Sequence, residues 1–207
     1  MTSIILIRHG EVTWNRQACY TGWTDLPLTE QGVAQARRLA ERLRAEPLRA
    51  VYCSDLQRAS VTAEIVAAPH GLKPIIDADL RELNYGDWEG VAEVDLPAKY
   101  PELYAKWVAD PARVRAPSGE SFSELLERAN QAISRITERY PEGSVAVVAH
   151  KSVNRTLICH WFGVDINLYK RIGQENGAIN VIRMLLDRAQ IDSINDSCHL
   201  RPNPPSF

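Results

Sequence analysis

Two apolar runs in the chain end alike. Ser3-Ile4-Ile5-Leu6-Ile7-Arg8 leads into His9-Gly10, and Ser144-Val145-Ala146-Val147-Val148-Ala149 leads into His150. Both read as buried strands. In a parallel sheet their carboxyl ends share one edge, and open α/β sheets bind ligands at that edge. His9 and His150 then meet. Arg8 stands beside the first histidine and Gly10 permits a tight turn, a combination suited to close approach to an anion. A third run, residues 50–53, leads through Ser54-Asp55-Leu56-Gln57 to Arg58, bringing a second arginine to the same place. Two arginines and two histidines around one point can clamp a tetrahedral phosphate, because the planar guanidinium donates in pairs. Singly, each also fits a plainer reading, as a satisfied core histidine or a helix-start surface arginine. Their matched placement favours chemistry.

The elements that must position these groups alternate between strand-length apolar runs and helical patterns. That pattern implies an α/β fold: a three-layer sandwich with a mostly parallel central sheet and helices on both faces. Residues 28–44 read as a helix, with Val33, Ala36, Ala40 and Leu43 at helical spacing. Residues 58–68 read as a second, and 74–76 as an edge strand. Residues 77–120 hold Pro97, Pro101, Pro111, Pro117, Trp88 and Trp107, and read as short helices and loops. We take this stretch as an insertion that roofs the site within one domain spanning 1–207. Ser121-Phe122-Ser123-Glu124 is a capping box opening a helix to about residue 140. Residues 153–162 form another helix, ended by Gly163. Residues 179–185 and 191–194 read as a closing pair of strands, and the proline-rich tail 201–207 as non-helical.

Composition bounds the function. The 207 residues are 45% hydrophobic and 24% charged, which excludes wholesale disorder. Lys+Arg 24 against Asp+Glu 26 gives a net charge of −2, so no global basic field invites nucleic acid. No apolar run reaches the ~18 residues of a membrane span. Cys19, Cys53, Cys159 and Cys198 form neither a CxxC pair nor a zinc pattern. With no amino-terminal signal segment visible, the expectation is a cytoplasmic protein with reduced thiols. An exposed edge strand leaves a homodimer open.

The motifs, in order, resemble the histidine phosphatase superfamily, also called the phosphoglycerate-mutase-like family. Leu6-Ile7-Arg8-His9-Gly10-Glu11 is its signature, continued by Thr13-Trp14-Asn15. Thr21-Gly22-Trp23-Thr24-Asp25-Leu26-Pro27-Leu28-Thr29-Glu30-Gln31-Gly32 is similar to the next segment, and Ser54-Asp55-Leu56-Gln57-Arg58-Ala59 with Thr62-Ala63 to the third. Leu80-Arg81-Glu82-Leu83-Asn84-Tyr85-Gly86-Asp87-Trp88-Glu89-Gly90 and Val147-Val148-Ala149-His150 complete the set. The resemblance implies that His9 is a nucleophile carrying a transient phosphoryl group. It implies that Arg8, Arg58 and His150 hold the phosphoryl oxygens with Asn15 beside them, and that Thr21 and Gly22 line the substrate side. Glu82 would act as general acid and then general base, with no metal and no cofactor. Tyr85 would help to shape the pocket, a role it shares with a packing role.

Physical chemistry constrains these roles. His9 must attack through a neutral ring nitrogen, so its other nitrogen needs a fixed partner, expected to be a backbone carbonyl near Gly10. Arg8 and Arg58 should push its pKa down. Glu82 must carry a proton to donate it to the leaving alkoxide. Glu11 and Glu89 compete for that role. A family branch that keeps its acid directly after the second histidine has no counterpart here, because Lys151-Ser152 follow His150. Lys151 departs from the glycine common at that place. It reads either as a snorkelling surface lysine or as an extra cation favouring a substrate with a second acidic group. His70 and His160 read as structural. His199, in Ser197-Cys198-His199-Leu200, lies in a segment similar to metal-independent phosphoserine phosphatases, as do Val164-Asp165, Asn176 and Asn180-Val181-Ile182.

The expected function is a metal-independent phosphomonoester hydrolase acting on a small phosphorylated metabolite: phosphoserine, α-ribazole phosphate, or a sugar or glycerate phosphate. A phosphoglycerate mutase is the alternative, disfavoured by the short span between the acid segment and His150. A catalytically dead phosphate-binding regulatory protein is a further one, disfavoured because His9, Arg58, Glu82 and His150 are all present.

Overall fold

The computed structural model describes residues 1–186 and 188–201; the expectation for the tail beyond Arg201 lies outside them. Among the described residues the apolar runs become six strands: β1 (Thr2–Arg8), β2 (Leu48–Cys53), β3 (Ile75–Ile76), β4 (Gly143–Ala149), β5 (Ile179–Met184) and β6 (Ala189–Asp196). They form one mixed sheet in the order β3-β2-β4-β1-β5-β6. The β3–β2, β2–β4 and β4–β1 pairings are parallel, and β1–β5 and β5–β6 are antiparallel. β1 and β4 run in step from Thr2 opposite Gly143 to Arg8 opposite Ala149, so both histidine-bearing ends leave the sheet at one level.

Among the described residues, seven α-helices accompany the strands: α1 (Thr13–Arg16), α2 (Glu30–Leu43), α3 (Gln57–Ala67), α4 (Leu96–Lys99), α5 (Pro101–Ala109), α6 (Phe122–Arg139) and α7 (Lys151–Phe162). Successive strand side chains point to opposite faces, and the two hydrophobic clusters follow that alternation. Ile5, Ile7, Val51, Ala146 and Val148 pack with Leu39 and Leu43 of α2 and Ala63 and Val66 of α3. Ile4, Leu6, Tyr52, Val145 and Val147 pack with Phe122, Leu125 and Ile133 of α6 and Leu157 of α7. Each such buried Leu, Ile or Phe contributes about 1.5–3 kcal/mol relative to exposure. No helix among the described residues is long and apolar enough to cross a membrane.

Local chemistry sets the helix ends. Thr29 caps α2 by accepting from the Gly32 amide at 3.0 Å. Ser121 and Glu124 make the expected reciprocal capping box of α6. α7 begins at Lys151, two residues ahead of the sequence reading, because His150 is itself the extended N-cap and no Ser, Thr, Asp or Asn side chain marks the start. Gly163, in the left-handed region, ends it. α1, a single turn, carries no periodic signal and went unforeseen.

Residues 77–120 supply α4, α5 and three 3-10 turns at Ala78–Leu80, Gly86–Trp88 and Glu93–Asp95. Trp88 and Trp107 meet edge to face at 5.4 Å and are both fully buried. This aromatic layer joins the α6–α7 side of the sheet and delivers Glu82, Tyr85 and Glu93 to the cavity described next.

Candidate active site

A cavity of about 230 Å³ opens where β1 and β4 end. Of the residues singled out from sequence, Arg8, His9, Asn15, Thr21, Arg58, Glu82, Tyr85 and Lys151 line it. His150 stands directly behind, its ring 5.0 Å from that of His9. Gly22 is not in the wall. Its backbone is left-handed, a Cβ there would lie 1.9 Å from Glu89 Oε1, and its carbonyl accepts a 2.6 Å hydrogen bond from Arg58.

His9 is buried, and its Nδ1 lies 2.6 Å from the Gly10 carbonyl. A carbonyl only accepts, so Nδ1 carries the hydrogen and Nε2 keeps its lone pair. Burial, and then the charges of Arg58 and Arg8, hold the His9 pKa well below its ordinary value. Charge alone was the expected cause, but desolvation is the larger one. The Gly10 amide donates to Thr62 Oγ1 at 3.2 Å, and a Cβ on Gly10 would meet the Gly32 carbonyl at 2.4 Å. Glycine is therefore needed for close approach of two backbones. The main chain around His9 is tied further by the Gly177 amide and by Asn176 Nδ2, which donates to both the His9 carbonyl and Asn15 Oδ1.

Both arginines are anchored at one end. Arg8 donates to the Gln174 carbonyl at 2.7 Å, and Arg58 to the Thr24 and Gly22 carbonyls. Burial lowers the pKa of both, that of Arg8 to about 10, so both remain cationic at neutral pH. Arg8 Nε, Arg58 Nε and His150 Nδ1 are buried nitrogens with no hydrogen-bond partner among the described residues. Such groups cost about 1–3 kcal/mol each when unpaired, and an oxyanion satisfies them. His150 Nε2 lies 2.7 Å from Ser54 Oγ. Burial, followed by Arg58, keeps the His150 pKa low as well.

The three competing acids separate cleanly. Glu11 accepts from Arg16 and Thr29, and Glu89 accepts from the Trp23 amide and both the amide and hydroxyl of Thr24. Both are occupied with loop structure, and neither lines the cavity. Glu82 does, held by the amides of Leu83 at 2.8 Å and Ser152 at 3.2 Å. Arg128 grips the carbonyls of Asp79, Arg81 and Glu82 and fixes the segment that presents it.

Sequence reasoning did not single out Arg128, Arg155, Glu93 or Lys170. Each lies in an ordinary polar stretch, and only the fold brings the last three into the cavity wall. Among the described residues, no group of three or more His, Cys, Asp and Glu is placed to hold a metal ion.

Residues 4–197 match the model of the histidine phosphatase superfamily (branch 1). The chain is 34% identical over 200 residues to phosphoserine phosphatase 1 of Hydrogenobacter thermophilus, covering 97% of this chain and 95% of that one. It is 31% identical over 197 residues to the adenosylcobalamin/alpha-ribazole phosphatase of Salmonella typhimurium, covering 95% and 98%. Among solved structures it superposes on Bacillus stearothermophilus YhfR with a TM-score of 0.91, at 30% identity over 97% of this chain and 100% of that one. With motifs, sheet order and cavity in agreement, the chain belongs to branch 1 of the histidine phosphatase superfamily and is a phosphoric monoester hydrolase.

Proposed function

We propose that the protein hydrolyses small phosphomonoesters without a metal ion, through a phosphohistidine at His9. The observation that carries this reading is the tie between His9 Nδ1 and the Gly10 carbonyl in a buried site between two arginines. It leaves Nε2 as an unprotonated nucleophile at neutral pH. In the first step Nε2 forms a bond to phosphorus and the ester oxygen leaves, taking a proton from Glu82. In the second, Glu82 takes a proton from water, whose oxygen attacks phosphorus and releases His9. Phosphoryl transfer needs positioning and charge stabilisation more than covalent help. Arg8, Arg58 and His150 supply those, their unpaired nitrogens meeting the phosphoryl oxygens, with Asn15 held at the rim by Asn176. Thr21 and Tyr85 bound the leaving-group side, under the roof formed by residues 77–120.

The test is phosphate release in EDTA, with acid-labile labelling of the protein by a radioactive phosphomonoester. Both should vanish in His9→Ala. Glu82→Gln should lose about 10²–10³ in kcat/KM on an alkyl phosphate and much less on an aryl phosphate, whose leaving group needs no proton. Equal losses on the two esters would remove Glu82 from the acid role.

A further inference from the structure

The cavity carries more positive charge than a phosphate needs. Among the described residues, Arg8, Arg58, Lys151, Arg155 and Lys170 line it, against Glu82 and Glu93. His9 and His150 are held neutral. A phosphomonoester dianion bound there leaves one positive charge over, and two once Glu82 carries a proton. Lys151 and Arg155 lie one turn apart on α7, and Lys170 lies in the Ile166–Arg171 turn that follows. Arg155 is fixed by a 2.6 Å hydrogen bond to the Ile172 carbonyl and sits 6.0 Å from the Tyr169 ring. Enclosure by the cavity wall, then Arg155 and Arg8, bring the Lys151 ammonium down to about 8, although its side chain reaches solvent at the mouth.

Glu93 answers this cluster from the roof. Its Oε1 accepts from Lys170 Nζ at 2.7 Å. Burial raises its pKa, but Lys170 and Lys151 outweigh burial and hold it below the usual carboxylate range. The roof thus places one carboxylate against the cations that the phosphate cradle leaves over.

We infer that Lys151, Arg155 and Lys170 form a second anion subsite for the carboxylate of a phosphorylated hydroxy acid or amino acid, and that Glu93 acts as its internal counter-anion in the free enzyme. The inference rests on the phosphatase reading of the same cavity. A substrate carboxylate would compete with Glu93 for Lys170. The two charge changes must therefore act in opposite directions: removing the Lys151 cation weakens preference for the carboxylate, and neutralising Glu93 strengthens it.

The experiment reads binding without turnover. In a His9→Ala background, calorimetry compares 3-phosphoglycerate with glycerol 3-phosphate, which carries a hydroxymethyl group in place of the carboxylate. The preference for 3-phosphoglycerate should fall about tenfold in Lys151→Met, and should rise about threefold in the near-isosteric Glu93→Gln, a scale typical of partly screened charges. Lys151→Gln serves as a second variant, and melting temperatures check that each chain folds. Any other pattern overturns the subsite: both variants moving the preference the same way, either leaving it unmoved, or neither ligand binding. Failure of the unsubstituted protein to release phosphate from any ester would instead sink the phosphatase reading and leave this measurement readable.

Discussion

β1 and β4 are parallel neighbours that end in the same residue type, yet they hold it differently. His9 is tied through Nδ1 to a main-chain carbonyl that can only accept. His150 is tied through Nε2 to the Ser54 hydroxyl, which can donate or accept, and its Nδ1 has no partner among the described residues. The first arrangement fixes one tautomer and presents a lone pair. The second lets Ser54 donate to Nε2, leaving Nδ1–H free to donate to a phosphoryl oxygen. On the proposed mechanism, two equivalent strand ends thus take the roles of nucleophile and oxyanion partner through the choice of which ring nitrogen is occupied.

Substituting each histidine in turn tests this division most strongly. His9→Ala should lower kcat by at least about 10⁴, since the bond-forming atom is gone. His150→Ala should cost about 10²–10³, the scale of one lost transition-state hydrogen bond. Equal losses would abolish the distinction.

Acid should expose what the two share. Both imidazoles are held neutral in the fold, while in the unfolded chain each takes up a proton near its ordinary value of about 6.5. Below that pH the unfolded chain binds more protons, so stability falls as pH drops, until the lowered folded values are reached. The slope is at most about 1.4 kcal/mol per pH unit for each histidine. Urea unfolding at pH 7.5 and 5.5 measures it. His150→Gln should remove its own share of a histidine contribution to which His199, also lowered by burial, adds, and an unchanged slope would mean His150 is not held neutral. The smallest effect is expected from Ser54→Ala, which unties His150 alone. It should lower kcat about three- to tenfold by letting the ring rotate, and leave phosphoenzyme formation at His9 intact. Loss of labelling would instead place Ser54 in the chemistry of His9.

Much of this was legible because the site sits where strong local signals end. β1 and β4 are continuous apolar runs, and their pairing in register follows from burial on both faces. The capping box of α6 was legible for the same reason, a short-range rule with a fixed spacing. Arg128 was not, because on the polar face of α6, beside Glu120, it looks like any solvated arginine, and the carbonyls it grips on Asp79, Arg81 and Glu82 are more than 40 residues away. Glu93, Arg155 and Lys170 share that problem, since Glu93, α7 and the Ile166–Arg171 turn are far apart in sequence and meet only in the folded cavity wall. Glu89 shows the converse: its motif position made it a rival acid, and only its three hydrogen bonds to residues 23–24 reveal an occupied carboxylate.

The sheet order also governs how the molecule must come into being. β1, first to be synthesised, has β4 and β5 as its neighbours, and Thr2 waits for Gly143. At roughly 5–20 residues per second, that partner emerges about 7–28 s later. Until then an apolar strand has no ladder to join, and neither histidine has the other. Chains ended before residue 143 should accordingly show no cooperative unfolding transition. Contacts of such long sequence separation make folding slow, so catalytic competence arrives late and all at once.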